Sequence, residues 1–173
     1  LVVAGHFMHP VHNDNLALSA AFDVIYLFHM PLFVFVSGLF AKGAYREGHL
    51  NVNRMISFLV LGLAYQAAYL AISGMLTPQR MLLFTSAPWY LIGMAWWYAA
   101  TPMLSRLPAP AGLAVSLCAS LASGCIDLSN GFLAISRSLA FLPFFSLGYY
   151  CTTEQLEHLS YRRGLWAAVV AAA

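Results

Sequence analysis

Apolar stretches of about the length needed to cross a bilayer recur along this chain, at about residues 20–41, 55–74, 88–105, 110–126 and 132–151. A helix needs about 20 such residues, because each adds about 1.5 Å across an apolar layer about 30 Å thick. Many of the stretches are apolar all round, as lipid-embedded helices are, instead of carrying one apolar stripe. The charge supply agrees: of 173 residues, 61% are hydrophobic and 8% charged, where a soluble domain carries about 25% charged residues. The same shortage excludes a disordered chain, which needs low hydrophobicity and high net charge. A net charge of +2, with its basic residues spread over several loops, excludes nucleic acid as a partner. The expected fold is therefore all-α, a polytopic transmembrane bundle in contact with the lipid bilayer.

The flanks fit a single transmembrane domain over 1–173 that is truncated at both ends. Residues 1–9 read as the end of a helix stopped by Pro10 and the polar run His12-Asn13-Asp14-Asn15, and a last helix is expected to start near Gly164. That makes about six to seven helices in this chain. Cys118, Cys125 and Cys151 lack a CxxC spacing and read as small packing residues. Orientation follows from the basic residues. With loop 42–54 cytoplasmic, Lys42, Arg46, Arg54, Arg106, Arg162 and Arg163 all fall inside and Arg80 alone outside. Arg137 lies within a span, where a charge must face the bundle or a wet cavity and find a partner.

Three polar intrusions carry the candidate chemistry. His6 and His9 lie one helical turn apart, followed by His12. A buried neutral histidine can serve as a general base, and it can equally be a hydrogen-bonding residue between helices. Pro10 breaks the spacing that His6, His9, His12 and Asp14 would need to hold zinc, so no metal is expected. The second intrusion is Asp23, Tyr26, His29 and Pro31. Pro31 cannot donate to the carbonyl of Leu27, one turn from the His29 imidazole, and Tyr26 shares the face of His29 while Asp23 does not. Arg137 with Phe141-Leu142-Pro143-Phe144-Phe145 forms the third. Its aromatics read as packing and interfacial belt, as do Pro88-Trp89-Tyr90 and Trp96-Trp97-Tyr98, which read as anchors near the two ends of one span.

The string from Tyr26 to Phe40, Tyr-Leu-Phe-His-Met-Pro-Leu-Phe-Val-Phe-Val-Ser-Gly-Leu-Phe, resembles the second-helix signature of the acyltransferase 3 family, integral-membrane O-acyltransferases that include fucose 4-O-acetylase-like proteins. Supporting matches follow the family order. Val2-Val3-Ala4-Gly5-His6 resembles the end of its first helix, Asn53-Arg54-Met55 the basic start of its third, and Pro88-Trp89-Tyr90-Leu91 its aromatic helix opening. Arg137 and the run Phe141 to Tyr149 resemble its PFF-x-x-G-Y segment. In the family's first helix an arginine and a histidine are separated by ten residues; His6 matches the histidine, and the arginine would precede Leu1.

The resemblance implies part of a ten-helix parent in a bacterial inner (plasma) membrane, moving an acetyl group from acetyl-CoA to a carbohydrate hydroxyl. His6 would be the base that activates the hydroxyl, and His29 or Tyr26 would donate to the tetrahedral oxyanion. Arg54, Arg46 and Lys42 would hold the phosphates of CoA at the cytoplasmic mouth. Arg137 and Asp23 are left as charges that contact substrate or brace the bundle. The alternative is a proton-coupled secondary transporter, with His6, His29 and Arg137 lining a path through kinked helices.

Overall fold

In the computed structural model, residues 16–125, 131–152 and 154–158 are described, with side chains in the first helix given at Ser19 and from Phe28 onward. The expectations for residues 1–15, among them His6, and for the helix near Gly164 lie outside the described residues, as do Asp127 and the side chains of Asp23 and Tyr26. Five α-helices carry the described chain: α1 (Leu16–Phe40), α2 (Val52–Ile72), α3 (Trp89–Arg106), α4 (Ala109–Cys125) and α5 (Ile135–Tyr150). They coincide with the five apolar stretches to within a few residues.

Local chemistry sets their ends. The Asn51 side chain accepts from the Arg54 backbone N–H at 3.1 Å and caps α2. Pro108 pushes Leu107 into extended backbone, which ends α3 and lets α4 start after a two-residue link. Between α1 and α2 the chain forms a small antiparallel hairpin, β1 (Tyr45–Arg46) and β2 (His49–Leu50), with Tyr45 opposite Leu50. Its two turn residues, Glu47 and Gly48, both have positive φ, as tight hairpin turns require. This hairpin is an addition to the all-α expectation.

Three of the helices contain an internal proline: Pro31 in α1, Pro102 in α3 and Pro143 in α5. Pro102 leaves the carbonyl of Tyr98 without its helical donor, and the fully buried Thr101 hydroxyl donates to that carbonyl at 2.7 Å.

Helix α5 is the centre of the packing, touching α1, α3 and α4. Against α1 the two backbones meet at paired glycines. A Cβ on Gly38 would strike the carbonyl of Phe145, and one on Gly148 would strike the carbonyl of Phe35. Against α4, Gly112 lies under the Tyr150 ring, the hydroxyls of Ser116 and Ser146 meet at 2.6 Å, and Ser120 donates to the carbonyl of Ala140. These pairings run in opposite directions along the two helices. Trp97 of α3 stacks on Phe145 and donates its indole N–H to the carbonyl of Ser138 at 2.8 Å. Helix α2 packs on α3 through Gly62, against Leu91 and Ile92, and through Phe58, edge-on to Tyr98.

Small polar groups are buried beside an apolar core that includes Phe84, Trp97 and Phe145, and many large apolar side chains are also exposed. Gln66, Thr101, Ser116, Ser138 and Ser146 are buried, while Phe28, Leu32, Phe40, Val60, Leu61, Ile72, Leu117 and Leu121 are exposed. Among the described residues one helix, Val52–Ile72, is long and apolar enough to cross a membrane by length and composition alone. Cys118 and Cys125 are exposed, so neither is the packing residue expected from the sequence.

Adding a methyl group at either member of the glycine pair forces two backbones apart. Gly38→Ala and Gly148→Ala are each expected to destabilise the protein by about 1–3 kcal/mol. At Gly43 and Gly124 a Cβ meets nothing within 4 Å, so alanine there should change stability by less than about 0.5 kcal/mol. Thermal unfolding of the four variants in one detergent checks the contrast.

Candidate functional site

The ends of the helices sort the charged residues. The Lys42 ammonium donates to the carbonyl of Cys151, which joins the ends of α1 and α5. The Tyr150 hydroxyl donates to the carbonyl of Leu104 at 2.6 Å, which brings the end of α3 to the same place. Lys42, Arg46, Arg54 and Arg106 therefore share one end of the bundle. Arg46 lies 3.9 Å from Glu47 with both side chains largely in solvent, and Arg54 is exposed at the start of α2. Arg80 and Arg137 lie at the opposite end, Arg80 between α2 and α3 and Arg137 in the first turn of α5.

Arg137 is exposed and near a helix end, not in mid-span. Its Nη1 donates to the carbonyl of Thr85 at 3.0 Å, and its guanidinium carbon lies 5.7 Å from the centre of the Trp89 ring. These contacts supply the partner that sequence spacing did not identify. The cation–π geometry is stabilising because the ring face carries the negative part of its quadrupole.

From Trp89 a row of aromatic rings runs back to α1. Trp89 meets Phe141 at 5.5 Å and Tyr90 at 6.2 Å, and Tyr90 meets Phe33 at 5.0 Å. Ser37 donates to the carbonyl of Phe33 at 2.8 Å, so its shared contact with the Tyr90 hydroxyl, at 2.5 Å, is filled by the tyrosine proton. His29 is buried on α1, one turn before Phe33 and two residues before Pro31. Counting back along α1 from Gly38, His29 is about 14 Å from the glycine contact. Counting back along α5 from Phe145, Arg137 is about 12 Å from it. The histidine and the arginine thus lie at comparable depth, with aromatic rings between their helices.

The structure does not bring every candidate residue together. Lys42 follows the end of α1, about 17 Å or more along the helix from His29, and Arg46 and Arg54 are at that same far end. Trp89, Trp97 and Tyr98 are buried and Trp96 is exposed, so the two aromatic clusters divide between interior packing and surface instead of acting as paired belts. Sequence reasoning did not single out Thr85 or Gln66. The Gln66 amide donates to the carbonyls of Arg80 at 3.0 Å and Leu83 at 2.9 Å, holding the segment that presents Thr85. A glutamine within an apolar helix was the available signal.

No protein-family model matches the chain. Over 46 residues the chain is 50% identical to nodulation protein NolL of Sinorhizobium fredii (strain NBRC 101917 / NGR234), a match that covers 25% of this chain and 13% of that protein. The chain therefore spans only a small part of the length of the relative it matches. No solved structure matches.

The Ser37–Tyr90 contact ties α1 to α3 about two turns along α1 from His29. A double-mutant cycle of Ser37→Ala and Tyr90→Phe is expected to give a coupling of about 1 kcal/mol. Equilibrium unfolding in detergent measures it.

Proposed function

We propose that this chain is part of a membrane-embedded O-acyltransferase that moves an acyl group, acetyl in the simplest case, from acyl-CoA to a carbohydrate hydroxyl. The observation that carries the reading is His29. It is buried beside Pro31 within the Tyr26–Phe40 signature, at the depth of Arg137 and next to a row of aromatic rings. The short similarity to a nodulation protein adds relatedness over part of the chain.

The bilayer reading draws support from the apolar exterior. Serines, threonine and glutamine pair inside the bundle, where a membrane helix must satisfy them, and leucines and phenylalanines cover its outside. With several helices crossing, the end bearing Lys42, Arg46, Arg54 and Arg106 faces the cytoplasm of a bacterial cell and the Arg137 end faces outward.

In the reaction the acceptor oxygen attacks the thioester carbonyl carbon and the carbon–sulfur bond breaks. The hydroxyl proton passes to a histidine, His6 in this reading, and the CoA sulfur leaves. A buried histidine N–H or a tyrosine O–H, from His29 or Tyr26, stabilises the oxyanion. We read the transfer as direct, from thioester to acceptor oxygen, without a covalent acyl-enzyme. The exposed cations of the Lys42–Arg54 turn suit the phosphates of CoA, with Arg54 the best placed. Arg46 is near Glu47, and the Lys42 ammonium is already held by the Cys151 carbonyl.

The test is incorporation of labelled acetyl from acetyl-CoA into glycans, in membranes expressing the full-length protein. His6→Ala and His29→Ala, at matched abundance, should each lower the rate by about 10² or more. Label no higher than in membranes without the protein, with acceptor supplied, would overturn the reading and direct attention to proton-coupled transport. In the same assay Arg54→Ala should raise KM for acetyl-CoA by about tenfold with kcat little changed, and Lys42→Ala should act mainly on thermal stability.

A further inference from the structure

The polar contacts at the Arg137 end hold the segment whose Thr85 carbonyl accepts from Arg137. The segment Arg80–Thr85 is fixed to α2 by Gln66, which donates to the carbonyls of Arg80 and Leu83. It is fixed to the start of α5 by two backbone bonds, Phe84 N–H to Gly131 at 2.9 Å and Leu133 N–H to Leu82 at 2.8 Å. Trp96 adds a third tie, donating its indole N–H to the carbonyl of Leu133 at 3.0 Å. The Leu133–Ala134 turn is left-handed at two consecutive non-glycine residues, with φ of 47° and 53°. Such backbone is unfavourable for residues with a Cβ and persists where its surroundings impose it.

This framework holds the Arg137 guanidinium in place. An arginine that only escapes an apolar layer extends its stem into water. Arg137 instead lies over Trp89 with one N–H on the carbonyl of Thr85, and Trp89 is itself braced by Tyr90, Trp97 and Phe141. A guanidinium has five N–H donors. Only the Thr85 carbonyl accepts from Arg137 among the described residues, and the described ion pair, Arg46–Glu47, is at the other end of the bundle. An exposed guanidinium held over an indole ring, with one of its donors used among the described residues, is suited to a planar anion, which it binds through two parallel hydrogen bonds.

We propose that Arg137 recognises the acceptor, and that the acceptor is a sugar bearing a carboxylate. The proposal rests on the O-acyltransferase reading for the word acceptor, but the binding it requires can be measured without acyl transfer. Trp89 gives the site an intrinsic reporter, because a ligand on Arg137 alters the charge above that indole.

The full-length protein in detergent is titrated with glucuronate, with glucose and with acetate, following tryptophan fluorescence, for the wild type, Arg137→Lys and Arg137→Gln. Glucuronate should give a saturable change that glucose and acetate do not reproduce at equal concentration. Arg137→Gln should weaken it at least tenfold, and Arg137→Lys, which keeps the charge but not the fork, should fall between. Should Arg137→Gln not fold, Arg137→Lys still decides, since an unchanged affinity for glucuronate in that variant overturns the proposal. It also falls if glucose or acetate acts as glucuronate does, or if no saturable change is seen.

Two further results separate this inference from the reading beneath it. Acetyl transfer to neutral and acidic sugars with equal kcat/KM overturns the recognition role and leaves the acyltransferase intact. Arg137-dependent glucuronate binding without any acetyl transfer supports the site and removes the acyltransferase. A stability loss in Arg137→Gln that Asp127→Asn cancels, with glucuronate affinity unaffected, would make the arginine an ion-pair partner and overturn the proposal.

Discussion

The architecture depends on how closely α1 and α5 approach. Side chains normally hold packed helices about 8–10 Å apart; at Gly38 and Gly148 each backbone occupies the space a Cβ would need on the other. That approach fixes depth as well as distance. It sets the register from which His29 and Arg137 come to lie at similar levels, and it positions Phe145, on which Trp97 stacks. In a bilayer, where lipid tails compete on equal terms with leucine side chains, such close van der Waals contact is a main source of helix association.

The serine contacts work alongside the glycines. Ser116 meets Ser146, and Ser116, Ser138 and Thr101 also donate to carbonyls of their own helices. Small hydroxyl side chains thus let the helices approach while leaving few unsatisfied groups. Among buried side-chain polar atoms in the described residues, Gln66 Oε1 lacks a partner, on the amide that holds the Arg80–Leu83 segment.

How much of this was legible from the sequence depends on the range of each interaction. The five helices were readable because apolar length is a local property, and the placement of Lys42, Arg46, Arg54 and Arg106 at one end followed from alternating helix direction. The Glu47–Gly48 hairpin was missed because strands of two residues leave no periodicity to detect. The Arg137 contacts were missed for another reason: Thr85 and Trp89 are about fifty residues away in the chain, and one acceptor is a backbone carbonyl, which carries no residue signature. Trp89 and Tyr90 read as belt residues because composition does not separate an aromatic side chain facing lipid from one facing a neighbouring helix. The candidate site was legible as a set of residue types, and its spatial grouping required the fold.

The central position of α5 also bears on synthesis. The chain emerges from its N-terminus, so α1, α3 and α4 are made before the helix that all three contact. Gly38, Trp97 and Ser116 each present a surface whose partner lies in residues 135–150. Until that segment is made, the earlier helices retain faces that can pair with one another or with other proteins. Among the described helices α5 is the one that completes these contacts, and a ribosome paused before it would leave a set of incompletely matched segments exposed to mispairing.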